Sequence, residues 1–221
     1  NVFDNMASRS LPNYHQAYRV IGHLAARMDL PKFSQVWDMG TSTGMGLRTI
    51  KQGVGLNPYL EYHGVDISEG MIAKAKENCP FATIHQHDLC DGLPIGVKAG
   101  KVSVMVFGWT LQFIESLAAR RNLLEQAYSN LAAGGFIVVM EKYNIQHPVM
   151  NEVMQDSYIA MRVENGYSLE EIEAKTHALK ASMWPTAPTY ATEILEGLGA
   201  DVQILYRELN FGGIVAFKPE G

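Results

Sequence analysis

Residues 36–46 read V-W-D-M-G-T-S-T-G-M-G, an apolar run that meets an aspartate and then three glycines set among small hydroxyl residues. A strand that gives way to a helix through such a turn leaves backbone amides facing outward at the helix start. Amides so placed favour electron-rich ligand atoms, and glycine allows both a tight turn and close backbone contact. The turn lacks the Gly-Lys-Ser/Thr ending of a phosphate-clamping loop. It also lacks the G-x-G-x-x-G dinucleotide fingerprint, because its glycines stand at 40, 44 and 46. Two acids extend the pattern. Asp66 closes a short apolar run in H-G-V-D-I-S, where a carboxylate can accept from both hydroxyls of a ribose. Asp88 follows the next run in Q-H-D-L, where a carboxylate can meet an adenine amino group. Asp38, at the end of the first run, is expected to orient the loop or to receive a cationic part of the ligand. Gly108, in F-G-W-T-L-Q-F, brings aromatic and polar groups to the same edge. Together these residues describe a nucleoside pocket.

Short apolar runs that alternate with helical stretches must position that pocket. Strands are expected at 35–39, 62–66, 82–87, 102–107 and 135–141, with helices at 14–28, 44–52, 68–78 and 117–131 between and before them. Such alternation implies parallel βαβ units and a doubly wound sheet. After Glu141 the pattern changes. Residues 148–183 read as a helical insertion with Met150, Met154, Met161 and Met183, ended by Trp184-Pro185. Adaptable thioethers suit a lid or a partner surface. A last helix at 190–198 precedes strands at 202–209 and 211–218, which are joined by so little chain that they must pair antiparallel at a sheet edge. The whole chain is thus expected to be one α/β domain, a mostly parallel seven-stranded sheet with an antiparallel C-terminal hairpin.

The totals agree with one domain: 221 residues, 47% hydrophobic and 19% charged. A net charge of -5 and a pI near 5.8 give no nucleic-acid signature. Cys79 and Cys90 lack metal-ligand spacing, so no metal site is expected. No apolar run approaches the ~20 residues that span a bilayer, and nothing at the start reads as a secretion signal. A cytoplasmic protein without membrane contact is the expectation, with a few residues missing before Asn1.

The absent phosphate fingerprint and the C-terminal hairpin favour S-adenosyl-L-methionine over a dinucleotide. The chain resembles the class I methyltransferases over nearly its full length, in the Asp-x-Gly-x-x-x-Gly loop, the two strand-end acids and L-A-A-G-G at 131–135. A narrower resemblance rests on V-F-D-N-M-A-S-R-S-L-P-N-Y at 2–14, T-L-Q-F at 110–113, E-K at 141–142, N-G-Y-S at 165–168 and N-F-G-G-I-V-A at 210–216. These segments resemble the carboxy-S-adenosylmethionine synthases of the tRNA wobble-uridine oxyacetic acid pathway. Members of that family are homodimers that use prephenate to carboxylate S-adenosylmethionine. The resemblance implies that Tyr14 touches the cofactor's amino-acid end, that Gly40, Thr41, Ser42 and Gly44 form the loop, and that Asp66 and Ile67 hold the ribose. It also implies that Asp88 and Leu89 flank adenine. Three positions depart from the family: Thr41 stands for a cysteine, Gly108 for a pocket asparagine and Thr176 for the arginine that holds the product's extra carboxylate. A threonine cannot make a guanidinium's two-pronged grip. Arg9, Arg162 and Lys175 remain as candidates for an anionic substrate, and Arg9 is alternatively a loop brace.

Three functions follow. The first is a methyltransferase on this family's frame, with a small-molecule acceptor. The second is carboxy-S-adenosylmethionine synthesis from prephenate. The third is a non-catalytic cofactor-binding module. Under any of the three the bound cofactor is S-adenosyl-L-methionine, S-adenosylhomocysteine or carboxy-S-adenosylmethionine. Tyr14, His15, Glu141 and His177 are the possible bases, none of them assigned, and His63, His85 and His87 read as structural. A homodimer that includes the insertion is expected.

Overall fold

The computed structural model describes residues 2–55 and 57–220. Seven strands form one sheet: β1 (Gln35–Met39), β2 (Glu61–Asp66), β3 (Thr83–Gln86), β4 (Val102–Gly108), β5 (Leu131–Lys142), β6 (Asp201–Glu208) and β7 (Phe211–Phe217). Their spatial order is β3-β2-β1-β4-β5-β7-β6. The first five run parallel, and β7 enters antiparallel between β5 and the edge strand β6. Chain order reverses beside β1 and β4, and ligands of open α/β sheets bind outside the strand ends at such a point.

The central strands carry apolar residues on both faces. Val36, Val104, Val106, Val138 and Met140 pack on one side, with Ile21 and Leu47. Trp37, Met105, Phe107, Ile137 and Val139 pack on the other, with Leu123 and Ile194. The period-two alternation therefore feeds two cores. Helices α1 (Val2–Ser10), α2 (Tyr14–Arg27), α3 (Met45–Val54) and α4 (Glu69–Asn78) precede α5 (Leu117–Asn130) in the chain, and α6 (Pro148–Glu164), α7 (Leu169–Lys180) and α8 (Tyr190–Gly197) follow β5. The core pairings name α2 and α3 on the first face, and α5 and α8 on the second.

Two elements differ from expectation. Residues 2–10 are helical, although their apolar pattern is too short to declare itself. β5 starts at Leu131 and not at Gly135, because Leu131 already pairs with Val102 before a register shift passes Ala132–Gly135. Two helices, α6 and α7, fill the expected insertion. Their junction is well specified: Ser168 caps α7 in a reciprocal capping box with Glu171.

Candidate functional site

A cavity of about 940 Å³ opens at the carboxyl ends of β1 to β5. The turn after β1 forms its floor. Gly40 has φ +82°, and a Cβ there would strike the side chain of Thr110, whose hydroxyl donates to Met39 O at 2.7 Å. Gly44 has φ +83° and backs onto Cys79. The glycines are thus demanded by the protein's own packing as well as by the turn. Gly40, Thr41 and Ser42 line the cavity, whereas Gly44 is turned inward and does not. Asp38 does not line it either. It is 1% exposed, and its Oδ2 accepts from the Thr41 hydroxyl at 2.9 Å, so it orients the loop from beneath. Burial pushes its carboxyl up to about 7. The alternative role for Asp38, contact with a cationic part of the ligand, is not supported by this placement.

Asp66 lies at the end of β2. Its Oδ2 accepts from Ser42 N at 2.8 Å and its Oδ1 from Ser68 N at 3.0 Å, which ties the turn to the start of α4. Each oxygen keeps a lone pair for a diol. Asp88 lies beyond β3 and accepts from Cys90 N at 2.8 Å. Asp66, Ile67, Asp88 and Leu89 all line the cavity, with Ile67 61% exposed beside the acids. These acids, the amide-rich turn and the apolar flank suit a nucleoside whose sugar bridges the β1 and β2 ends.

Aromatic rings make the next wall. Tyr14 stacks on Trp109 at 5.4 Å, and Tyr18 meets both edge-on. Burial raises the Tyr14 hydroxyl far above its ordinary range, so it stays protonated. A Cβ on Gly108 would lie 2.6 Å from the Tyr18 hydroxyl. Tyr18 therefore occupies the room an asparagine side chain would need.

The far wall comes from α1, β5, α6 and α7. Lys142 at the end of β5 lines the cavity with Arg162, Lys175 and Thr176. The Thr176 hydroxyl donates back to Ile172 O at 2.8 Å and is spent on its own helix. Lys175 Nζ donates to the Tyr167 hydroxyl at 2.8 Å. Arg9 is not in the cavity. Its Nε donates to Asn165 O at 2.7 Å, its Nη2 to Gly166 O, and its guanidinium covers the Tyr167 ring at 4.3 Å. Of its two expected roles, the loop brace is the one this geometry gives. α1 is fastened a second time where Asp4 accepts from Thr43 Oγ1 at 2.5 Å and from Arg48 Nη2 at 3.2 Å. The sequence motifs at 2–14 and 165–168 thus meet beside the cavity.

Of the possible bases, only Tyr14 lines the cavity. Glu141 alternates away from Lys142 and lies near Arg120, whose Nε and Nη2 hold Ile114 O and Trp184 O at 2.5 and 2.6 Å. His63 and His85 stack on Trp37 and do not line the cavity, while His87 joins the lining and lies 3.0 Å from Gly92 O. Sequence reasoning did not single out Lys142, Tyr18, Tyr158 or Phe211 as lining residues. A lysine ending a strand buried on both faces was the one available signal, since such a position faces the site. Among the described residues no group of three or more His, Cys, Asp or Glu side chains is placed to hold a metal, and no helix is long and apolar enough to cross a membrane.

Residues 37–137 match a family model described as a methyltransferase domain. The chain is 30% identical over 220 residues to a carboxy-S-adenosyl-L-methionine synthase of Actinobacillus pleuropneumoniae, covering 98% of this chain and 90% of that one. It is 34% identical over 221 residues to the enzyme of the same name from Trichodesmium erythraeum, covering 99% and 86%. The chain belongs to the carboxy-S-adenosyl-L-methionine synthase family. It is an S-adenosyl-L-methionine-dependent transferase. In fold it is similar to the S-adenosyl-L-methionine-bound amino pentose methyltransferase CalS10 of Micromonospora echinaspora, with a TM-score of 0.64 at 14% identity, covering 99% and 97%. An O-methyltransferase family protein of Burkholderia thailandensis gives a TM-score of 0.65 at 13% identity, covering 98% and 59%. The similarity to these two relatives covers 98% and 99% of this chain, so it includes α1 and the insertion, which help to wall the cavity.

Proposed function

We propose that this member of the family is a methyltransferase that acts on a small-molecule acceptor inside the cavity. Bound S-adenosyl-L-methionine supplies a methyl group already activated by a sulfonium. The chain's own task is to hold the two reactants and to exclude water, and such positioning can supply ~7–11 kcal/mol of barrier reduction. Asp66 and Asp88 are assigned to the ribose and adenine, with Ile67 and Leu89 against them. Gly40, Thr41, Ser42 and Tyr14 are assigned to the amino-acid tail, with Trp109 backing Tyr14. α1 and α7 close over the mouth.

The observation that carries methyl transfer over carboxylation is Thr176. Its hydroxyl is bound to Ile172 O, so the position that holds the extra carboxylate in the resembling family offers no cation here. A second reading, carboxy-S-adenosylmethionine synthesis from prephenate within tRNA wobble-uridine modification, is favoured by Lys142, Arg162 and Lys175, which line the cavity. Incubation with S-adenosyl-L-methionine and prephenate, followed by mass analysis of the small molecules, decides between them. The proposal expects no mass gain of one carboxyl group on the cofactor, and S-adenosylhomocysteine release once the right acceptor is supplied. A carboxylated cofactor overturns it in favour of the second reading.

We place the reaction in the cytoplasm, on a homodimer. Support for the dimer comes from α6, where Val149, Val153 and Val163 are 60%, 49% and 44% exposed on a helix next to the pocket.

A further inference from the structure

Methyl transfer to an oxygen or to a protonated nitrogen needs a group that takes a proton away. The four side chains weighed for that task from the sequence do not supply it. His15, Glu141 and His177 do not line the cavity, and Tyr14, which does, is held protonated by burial. His87 lines it at the nucleoside end, with Nε2 at 3.0 Å from Gly92 O. Lys175 donates to the Tyr167 hydroxyl at 2.8 Å, and Lys180 is exposed in the last turn of α7. Lys142 remains. It stands at the carboxyl end of β5, half-buried, and lines the cavity. Among the described residues no carboxylate lies in ion-pair range of its Nζ, and only its backbone N–H is hydrogen-bonded, to Gln112 Oε1 at 2.7 Å.

The elements packed around that amine present rings and a cation. Nζ lies 4.9 Å from the centre of the Tyr158 ring and 5.8 Å from that of Phe211, and the two rings pack at 4.9 Å. The Arg162 guanidinium sits 4.3 Å from the same Tyr158 ring. The lining acids Asp66 and Asp88 stand at β2 and β3, with β1 and β4 between them and β5. Loss of water and a neighbouring cation both disfavour an ammonium, and together they bring Lys142 down from 10.5 to about 8. We propose that Lys142 is the general base of the transfer and that the acceptor is a hydroxyl compound. A carboxylate acceptor enters already deprotonated and has no use for a base, and Arg162 repels an ammonium acceptor. A hydroxyl enters neutral and gains negative charge as its proton leaves, which Arg162 then stabilises. Neutral Nζ takes the hydroxyl proton while the oxygen bonds to the methyl carbon. The C–S bond breaks with its electron pair left on sulfur, and the ammonium returns the proton to water. The sulfonium's positive charge thus leaves as that proton. The inference rests on the methyl-transfer reading and adds to it a base and an acceptor class.

Two measurements test it. The first needs no acceptor: protein isotope-labelled at lysine Cε and saturated with S-adenosylhomocysteine is titrated by NMR. The Lys142 signal is identified by its loss in Lys142→Met or, should that variant not fold, in Lys142→Arg. Its midpoint is expected near 8 and should move upward in Arg162→Gln. A midpoint at the ordinary 10.5 overturns the proposal. The second is S-adenosylhomocysteine release from S-adenosyl-L-methionine, with phenol, catechol and glycerol as hydroxyl probes and acetate and methylamine as controls. Release is expected with a hydroxyl probe, with kcat rising through about 8 and then levelling. Lys142→Arg, which keeps a charge but cannot accept a proton, should lower kcat about 10²–10⁴-fold and leave S-adenosylhomocysteine affinity nearly unchanged. Full kcat in that variant, or release with acetate or methylamine in preference to every hydroxyl, overturns the proposal and leaves methyl transfer standing. Release with no probe, from protein that binds S-adenosylhomocysteine, defeats the methyl-transfer reading and the inference with it.

Discussion

At the scale of single residues, the two kinds of aspartate do different work. Asp66 is a surface-facing acceptor that joins the turn after β1 to α4. Asp38 is a buried brace, and its protonation couples the loop to pH. In the unfolded chain its carboxyl titrates near its ordinary 3.8, and in the fold near 7. Between those values the folded protein holds a proton the unfolded chain has lost. Asp38's contribution to stability therefore falls as pH rises through that window, and the penalty is complete above it. Asp38→Asn removes the titration. Urea unfolding across the window should show the variant gaining on the parent as pH rises, by on the order of 2–4 kcal/mol. A constant difference would contradict the burial argument. The acids were legible because strand ends beside a glycine turn have few other uses. The placement of Gly44, facing Cys79 and not the cavity, was hidden, because a glycine's spacing does not say which side the missing side chain would meet.

At the scale of elements, the strands from β1 to β4 were readable within a residue or two, since continuous apolar runs can bury both faces. What escaped was α1, nine residues whose value lies in long-range bonds: Asp4 to Thr43 and Arg48, Arg9 to Asn165 and Gly166. The motif conveyed that these residues belong together but not that they form a helix. Arg9→Ala should raise amide hydrogen exchange in α1 and at the α6–α7 turn and quicken ligand release, with β4 and β5 unaffected. The exit of the insertion is held by Arg120, 0% exposed, on Ile114 O and Trp184 O. Arg120→Met should destabilise the protein by roughly 2–5 kcal/mol because the Ile114 and Trp184 carbonyls lose their buried donor and Glu141 its nearby cation. Arg120→Met combined with Glu141→Gln should recover part of that loss in the same denaturation assay. Non-recovery would mean that the two carbonyl contacts, and not the charge near Glu141, account for the cost.

At the scale of the molecule, the sheet brings the acids at the ends of β2 and β3 and the cations of β5 and α6 to one cavity, with residues of α1 and α7 also lining it. The doubly wound sheet and the C-terminal hairpin followed from the sequence because parallel crossovers and short connections leave few alternatives. The grouped cations did not, since Lys142 and Arg162 come from separate elements that only packing juxtaposes. Sedimentation at micromolar concentration should give a dimer, and substitution of Val149 and Val153 by serine should shift it toward monomer; a wild-type monomer would remove α6 from the account of assembly. The central claim, a nucleoside cofactor whose sugar is held by Asp66, is tested most directly by calorimetric titration of S-adenosylhomocysteine into the apo-protein and its Asp66→Ala variant. The account predicts binding to the parent and a loss of about ten- to a hundredfold in the variant, the worth of a hydrogen-bonded charged acceptor. Equal affinity in the two proteins, or no uptake by the parent, would contradict it.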